Sequence, residues 1–336
     1  MSLTPKQQLF LACKNGNKDN IEDLLNKKGT DVNDEDDERN TCLIYTAFNG
    51  WFLAAKILIK RGAIVDTQND KGETALHIAS EKCHINYIKY ILGEAKAKVG
   101  IRDKKGDTVL HKAAGAKEEQ FQETIRILIK YFKEQKVEID ILNDENLTPL
   151  HMASSIGKID TIRMLIQNNA DISAKDQRDQ NVLHKAANHP EALKELIKIM
   201  KEKGKDIINE QDIQEETALH ASVLAGNNQS IEVLISNRAD VFLCNNKERT
   251  VLHMAAEKGF IKIVKKLAKD FDDLLVKTDE EEETALHLAT LSKREEVVKF
   301  LCSEAESKAK FLDKINKKQR SPLLIAIKFE YIEIFK

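Results

Sequence analysis

The residues best suited to chemistry are nine histidines, seven of which recur at nearly constant spacing. Histidine can bind a metal or transfer a proton near neutral pH. A zinc site or a catalytic pair also needs partners at short fixed spacings such as HExxH or CxxC, and the sequence contains neither pattern. The recurrence therefore predicts a structural role, with ring nitrogens bonded to backbone groups of neighbouring units. These histidines are His77, His111, His151, His184, His220, His253 and His287.

Catalytic and cofactor-binding motifs are absent from the sequence. There is no GxxxxGK[ST] phosphate loop, no GxGxxG turn and no GxSxG elbow. Paired acids such as Asp36-Asp37 and Glu281-Glu282 fall in predicted turns. Water surrounds such turns, whereas a catalytic carboxylate needs burial or a charged neighbour to tune its pKa. We therefore predict that this chain is not an enzyme and holds no cofactor and no metal.

The histidines belong to a four-residue pattern, Thr-x-Leu-His, that repeats along the chain. Successive copies begin 33, 34, 40, 33, 36, 33, 34 and 37 residues apart. A fixed period near 33 with this pattern indicates stacked helical repeats. The copies start at Thr74, Thr108, Thr148, Thr217, Thr250 and Thr284, with a variant at Asn181 and worn copies at Thr41 and Ser321.

Each copy predicts a pair of helices. In the unit that begins at Thr148, the threonine hydroxyl is placed to cap a helix and Pro149 takes the first helical position. Leu150 is expected in the core, and Gly157 should end the helix in the left-handed conformation. A second amphipathic helix follows over residues 161–166. Equivalent glycines occur at Gly16, Gly50, Gly226 and Gly259.

This pattern resembles the ankyrin repeat family, and the resemblance covers essentially the whole chain. It implies an all-α ankyrin repeat solenoid, in which stacked helix-turn-helix units carry projecting β-hairpin-like loops. It also implies that the first helices and the loops form a concave surface that binds other proteins. The predicted array fills residues 1–336, with approximate repeats over 1–36, 37–69, 70–103, 104–143, 144–176, 177–212, 213–245, 246–279, 280–316 and 317–336, the last incomplete.

Several units depart from the common length. The fourth has about seven extra residues, around 117–122 and 131–136, and the ninth has extra residues around 304–310. In the sixth, Pro190 stands in the place of the helix-ending glycine. Each departure predicts a local bulge, and insertions in repeat proteins usually lie on surface loops. Cys83 and Lys293 take the glycine position in two further units.

The composition limits the expected class of partner and the expected cellular environment. Of 336 residues, 42% are hydrophobic, 5% aromatic and 32% charged, yet the net charge is only −2. A nucleic-acid partner usually needs a basic face, so we expect none. Five cysteines without a CxxC pair suggest a reducing, cytoplasmic environment. No apolar run is long enough to span a membrane, and we expect a monomer unless the chain is part of a larger assembly.

The candidate partner-binding residues lie at the predicted loop tips. Two tips are strongly acidic, over residues 34–38 and 279–283, whereas the tips between them are mixed or basic. An acidic tip is either a solvated turn or a contact for a basic partner. The candidates are Asp36, Asp37, Glu38, Arg39, Lys71, Lys104, Lys105, Glu145, Arg178, Asp179, Gln214, Glu215, Lys247, Glu248, Glu280, Glu281 and Glu282.

The predicted function is a protein–protein interaction module, an adaptor or scaffold whose partners are other proteins. Three alternatives place the same array in another setting. It could be the cytosolic N-terminal platform of a transient receptor potential ankyrin-type cation channel, a host-targeting effector of an intracellular bacterium, or an arm attached to a downstream catalytic domain. Residues 331–336 would leave three large apolar side chains uncovered at a terminal repeat, which favours a longer protein.

Overall fold

The computed structural model describes residues 3–116, 121–308 and 312–329. The chain forms two compact units, residues 1–177 (unit 1) and residues 178–336 (unit 2). In both, helices alternate between a first and a second helix of each repeat, and first helices pack on first helices. The described part of the chain contains no β-strand, only an isolated bridge between Glu35 and Thr41. This agrees with the all-α class predicted from the repeats.

Unit 1 contains five helix pairs. Second helices pack on neighbouring second helices, which makes two layers that share one apolar core. The first helices are α1 (Pro5–Lys14), α3 (Cys42–Phe48), α5 (Ala75–Glu81), α7 (Val109–Ala114) and α9 (Pro149–Ser155). The second helices are α2 (Lys18–Leu25), α4 (Phe52–Lys60), α6 (Ile85–Gly93), α8 (Phe121–Glu134) and α10 (Ile159–Gln167).

Unit 2 follows the same plan. A 3₁₀ turn over Asp272–Val276 follows one of its second helices. The first helices are α11 (Val182–Lys185), α13 (Ala218–Leu224), α15 (Val251–Lys258), α17 (Ala285–Leu291) and α19 (Pro322–Lys328). The second helices are α12 (Pro190–Glu202), α14 (Asn228–Ser236), α16 (Ile261–Asp270) and α18 (Glu295–Lys308).

The repeated pattern explains where the first helices begin. Thr148 is an N-cap with extended backbone, and its hydroxyl accepts a hydrogen bond from the His151 backbone N–H. The His151 ring in turn accepts from the Thr148 N–H, so the two residues form a reciprocal capping box. Pro149 is the first helical residue, and Leu150 is fully buried. The predicted roles of Thr148, Pro149 and Leu150 are confirmed.

Glycines end several first helices for two reasons. Gly50 has φ of +70°, where a side chain is strained. A Cβ at this position would also lie 2.7 Å from the ring of His84, which packs on the glycine from the next repeat. The His84 Nε2–H donates to the Phe48 carbonyl at 3.1 Å. Cys83 and Lys293 adopt the same left-handed conformation without glycine.

The irregular repeats differ from their predicted form. Pro190 does not end a helix; it is the first residue of α12, and the preceding helix α11 has only four residues. Proline is favoured at a first helical position because its missing N–H has no partner there. The extra residues of repeat 4 beyond Lys130 do not make a loop but lengthen α8 to fourteen residues, with Phe132 fully buried.

Two predicted segments fall partly or wholly outside the described residues. Helix α18 continues to residue 308, which accounts for part of the extra length of repeat 9. Residues 117–120, 309–311 and 330–336 lie outside the description, including the apolar end noted in the sequence. No helix among the described residues has the length and apolar character to cross a membrane.

Candidate partner-binding loops

The loops between repeats share one internal frame that our sequence analysis did not identify. In loop 3 (residues 103–107), the Asp103 carboxylate accepts from the Lys105 N–H at 2.8 Å and the Asp107 N–H at 2.9 Å. The same pair of bonds, to the N–H groups two and four residues later, holds most of the other loops. Each loop therefore begins with a base residue that fixes its backbone.

A signal for this frame was present in the sequence. An Asp or Asn stands five residues before the cap of every repeat from the second onward. These side chains bond their own backbone nearby, which suits tight turns. We number the loops 1 to 9 by their base residues, which are Asp36, Asn69, Asp103, Asn143, Asp176, Asp212, Asn245, Asp279 and Asn316.

Successive loops are tied to each other through the backbone. In unit 1, the Lys104 N–H donates to the Lys71 carbonyl at 2.9 Å, and the Asp144 N–H donates to the Lys105 carbonyl at 2.9 Å. In unit 2, the Glu280 N–H donates to the Lys247 carbonyl at 3.0 Å. The tips are therefore held in register within each unit, and their side chains project from a fixed row.

The signature histidines tie the helices to the loops. In repeat 8, His253 Nδ1 accepts from the Thr250 N–H at 3.2 Å, and its Nε2–H donates to the Glu283 carbonyl of the next repeat at 3.1 Å. Equivalent Nε2 bonds to the following repeat occur at His77, His111, His184, His220 and His287. This confirms the predicted role of these six histidines and requires a neutral ring, because Nδ1 must accept.

Burial keeps these rings neutral. It lowers the pKa of His220 and of His253 from the ordinary 6.5 to about 4. Burial also lowers the pKa of His77, His111 and His287. These five histidines are therefore uncharged parts of the scaffold near neutral pH. In the described part of the chain, no cluster of three or more His, Cys, Asp or Glu could hold a metal ion.

The structure places all the predicted tip residues in the loops. Asp36 and Glu281 are partly buried, and the other candidates are exposed. Five candidates have positive φ between 57° and 59°, in the loop position where loops 2 and 3 have glycine. These five are Arg39, Asp179, Glu215, Glu248 and Glu282.

Loop 1 is acidic, but two of its carboxylates, those of Glu35 and Asp36, bond side chains of the same repeat. The Tyr45 hydroxyl donates a short hydrogen bond to Asp36, and Arg39 bonds Glu35 at 3.1 Å. Burial opposes ionisation of Asp36, yet the hydrogen bonds from Tyr45 and Asn40 prevail and lower its pKa. Asp36 thus acts as a base residue of the loop frame, which leaves Asp37 and Glu38 as its outward acids.

Four lysines at loops 2 and 3 and at the end of α5 are not paired with a carboxylate within the residues that the structure describes. Among the described residues, no Asp or Glu makes a salt bridge with Lys71, Lys82, Lys104 or Lys105. These side chains line a groove of roughly 600 Å³ in unit 1, together with residues of α5 and α7. Their positive charge is therefore available to a ligand.

The floor of this groove holds an ion cluster of one cation and two carboxylates. Lys112 Nζ lies 2.9 Å from Glu73 Oε1 and 2.8 Å from Asp103 Oδ2. All three side chains are largely buried, with exposures of 15%, 12% and 3%. Burial opposes ionisation of Asp103, but Lys112 and the loop N–H groups outweigh it and lower the pKa of Asp103. Burial likewise opposes the charge of Lys112, and the two carboxylates overcome it and raise the Lys112 pKa.

The lining of the groove includes one exposed aromatic ring. Phe48, at the end of α3, is 41% exposed, and its ring lies 6.4 Å from the ring of Tyr45. Ile78 also lines the groove but is buried. An exposed aromatic ring next to free lysines can bind an apolar group and a charge together.

Loop 8 in unit 2 has the same frame with the opposite tip charge. Its tip residues Glu280, Glu281 and Glu282 are acidic. Arg249 Nε lies 3.0 Å from the base residue Asp279, and Arg249 Nη1 lies 3.2 Å from Glu257. Glu281 meets Lys318 at 3.7 Å. A cation therefore pairs with the base carboxylate in both loops 3 and 8.

Helix pairs joined by framed loops, with a Thr-x-Leu-His ladder between them, define a class of stacked-repeat protein. The family model for ankyrin repeats matches residues 9–103, 95–176, 183–277, 226–311 and 272–336. The chain belongs to the ankyrin repeat family. Ankyrin repeats are protein–protein interaction modules, and their fold is not itself catalytic.

Individual proteins show the same likeness. E3 ubiquitin-protein ligase KEG of Arabidopsis thaliana is 24% identical over 296 residues, which are 84% of this chain and 18% of that protein. Human transient receptor potential cation channel subfamily A member 1 is 26% identical over 178 residues, 52% of this chain and 16% of the channel. The chain spans about a fifth of the length of the curated relatives it matches.

A solved structure supports the fold. The ankyrin repeat domain of Bcl-3, a member of the IkappaB family, superposes with a TM-score of 0.58 at 23% identity. The match covers 69% of this chain and 99% of the Bcl-3 domain. At this identity, the comparison supports the helical repeat architecture.

Proposed function

We propose that the chain is an adaptor or scaffold that captures partner proteins on its loop tips and on the first helices beside them. The two units would together form one array of ten repeats. The family assignment supports the interaction role. The location rests on one observation: the tips are held in register by backbone bonds while their side chains stay exposed. A fixed backbone lowers the entropy lost when a partner binds.

Among the described residues, the groups best suited to chemistry already have structural roles. The buried histidines and carboxylates are committed to hydrogen bonds and ion pairs of the scaffold. Catalytic groups instead need pKa values tuned near the working pH and access to substrate. We therefore propose that any activity of the full protein that contains this array arises outside it. A cytoplasmic, reducing location is part of the proposal, since all five cysteines are free thiols.

Selection from a displayed protein library tests the location of the binding surface. The bait is the whole chain, with tip variants Lys104→Glu/Lys105→Glu and Glu280→Lys/Glu281→Lys. The matched control is Lys130→Glu/Lys133→Glu on the second helix α8, which also changes two charges. We expect ligands of the unaltered chain to be lost with a tip variant and retained by the control. Ligands lost only with the α8 variant would overturn the proposal.

A second role is supported by the length of the relatives. Their arrays are parts of much longer proteins, among them a cation channel and a ubiquitin ligase. We propose as the alternative that this array is the interaction platform of such a protein, whether a channel, an enzyme or a bacterial effector. Reading the coding sequence past Lys336 tests it. Apolar spans of about 20 residues would indicate a channel. A catalytic motif would indicate an enzyme. An early stop codon would contradict the alternative that this array is part of a longer protein.

A further inference from the structure

The groove between loops 2 and 3 combines unpaired lysines, a buried ion cluster and an exposed aromatic ring. We propose that it binds an acidic segment of a partner protein in which several carboxylates lie next to one apolar side chain. This inference rests on the proposed interaction function and adds the class of partner.

The free lysines supply the first argument. Lys71, Lys104 and Lys105 project from neighbouring tips, and Lys82 lies at the end of α5 on the same groove. None is neutralised by a salt bridge in the described part of the chain. Lysines without partners lose no intramolecular bond when a carboxylate arrives, so their attraction for it is undiminished.

The floor supplies the second argument. Glu73 and Asp103 would repel an acidic ligand, but Lys112 holds both at hydrogen-bond distance. The exposed rim also includes the acids Asp70 and Glu81. Four lysines against these two acids leave the rim with a positive excess of two. The floor, with one lysine and two carboxylates, carries −1, so the groove as a whole has a net charge of +1, with its positive excess at the exposed rim.

The neighbouring loops supply the third argument. Loop 1 presents Asp37 and Glu38, and loop 4 presents Asp144 and Glu145. Asp144 is paired with Arg102 at 2.9 Å, whereas Glu145 remains exposed. Acidic tips on both sides repel a carboxylate and confine it to loops 2 and 3. Charge arranged this way sets register and specificity more than raw affinity.

The exposed ring of Phe48 supplies the anchor. Phe48 is 41% exposed and lies with Ile78 at the wall of the groove. An aromatic ring that remains exposed beside a cavity of roughly 600 Å³ can accept one large apolar side chain. The ligand must therefore combine charge with one anchor, rather than charge alone.

The test begins with a random 12-residue peptide library displayed on phage, selected on the whole chain at low salt. We expect the recovered peptides to be enriched in Asp and Glu around one aromatic or aliphatic residue. The strongest peptide is then synthesised and its Kd measured at 50 mM and 500 mM salt. We expect binding to weaken by about tenfold or more at the higher salt, because screening shortens the reach of exposed charges.

Matched variants locate the binding. Lys104→Glu/Lys105→Glu should raise the Kd by about tenfold or more. Lys317→Glu/Lys318→Glu makes the same change on the exposed tip of loop 9 and should change the Kd less than twofold. Phe48→Ala should weaken binding several-fold. Its control is Phe242→Ala, since Phe242 is 39% exposed and also lies 6.4 Å from a second ring, that of Phe271.

The outcomes separate this inference from the proposed function. Peptides without acidic enrichment, or a Kd that is equal in the loop 3 and loop 9 variants, would overturn the acidic partner. If those peptides were still lost with variants at another loop tip, the interaction function would stand. Peptide binding that is unchanged in every tip variant would contradict both the acidic partner and the proposed interaction function. Circular dichroism of each variant confirms that a lost peptide reflects a lost contact and not a lost fold.

Discussion

Loops 3 and 8 share one backbone and carry opposite charges. In each, a buried aspartate accepts from the N–H groups two and four residues later, with all four distances between 2.8 and 3.0 Å. The tip of loop 3 carries Lys104 and Lys105, whereas that of loop 8 carries three glutamates. The comparison shows that the base residue determines the loop conformation. The tip residues are consequently free to vary with the partner.

The cations beneath the two loops explain how each buried base aspartate, Asp103 or Asp279, is stabilised. Lys112 serves Glu73 and Asp103 together, because both positions are acidic around loop 3. At loop 8 the residue equivalent to Glu73 is Arg249, which pairs directly with Asp279. A buried carboxylate without a cation would be costly in either loop. Sequence variation at these positions is therefore constrained by charge even though the tips vary.

The largest expected effect comes from removing the cation beneath loop 3. Lys112→Met should lower the free energy of unfolding by about 3–5 kcal/mol, because two buried carboxylates would then face each other without compensation. Urea unfolding at pH 7 measures the change. Adding Glu73→Gln and Asp103→Asn should restore most of the loss, and Lys104→Met on the exposed tip serves as the control. A Lys112→Met chain as stable as its parent would refute the compensation.

Acid should weaken the features that the two regions share. His220 and His253 bind a proton in the unfolded chain below pH 6.5 but in the folded chain only near pH 4. The contribution of these two neutral rings to the free energy of unfolding is therefore fully present above pH 6.5 and is lost as the pH falls toward 4. Each ring should account for about 2 kcal/mol by pH 5.

Urea unfolding from pH 8 to pH 5 measures how the free energy of unfolding depends on pH. His253→Gln should be less stable at pH 8 but should lose less stability on acidification, because its protonation no longer contributes. A slope identical to that of the unaltered chain would show that His253 does not remain neutral in the folded state.

Removing a base residue should cost less than removing the cation. Asn143→Ala takes away the acceptor for the Glu145 and Leu147 N–H groups and a bond to Asp107 at 2.8 Å. We expect a loss of about 1–3 kcal/mol, since these groups lose partners near a buried site. Glu145→Ala, two residues away on the exposed tip, should stay within about 0.5 kcal/mol. Equal effects of the two substitutions would contradict the division between base and tip.

Exchanging the charges of the two tips should have the smallest effect on folding. Lys104→Glu/Lys105→Glu and Glu280→Lys/Glu281→Lys alter exposed or partly buried side chains. Among the described residues, only Glu281 of these four forms an ion pair, a weak surface contact with Lys318. We expect each pair to change the free energy of unfolding by about 0.5 kcal/mol or less. Thermal unfolding followed by circular dichroism measures it. A large destabilisation would mean that tip charge contributes to the frame.

The sequence predicted most of the scaffold because its causes are local. Thr148, Pro149 and Leu150 act within one helical turn, so their caps and burial follow from their types and order. The period then placed every equivalent residue. Pro190 was misjudged because the position equivalent to Gly157 was assumed to end a helix, although proline is equally suited to begin one.

The loop frame and the groove were harder to predict. Asp103 and its equivalents look like ordinary turn residues, and only their position relative to the cap distinguishes them from the exposed tips. The pairing of Lys112 with Glu73 joins residues 39 apart in sequence, and only the fold brings them together. Which lysines remain free is a property of those pairings, so composition alone could not show it.

Amide hydrogen exchange with and without the selected acidic peptide tests the central claim most directly. Binding on framed loops predicts protection in residues 69–73 and 103–107 and along α5 and α7, with the second helices α6, α8 and α10 unchanged. The Lys104→Glu/Lys105→Glu chain should show no such protection at the same peptide concentration. Protection confined to the second helices, with these loops exchanging as in the free chain, would contradict the account.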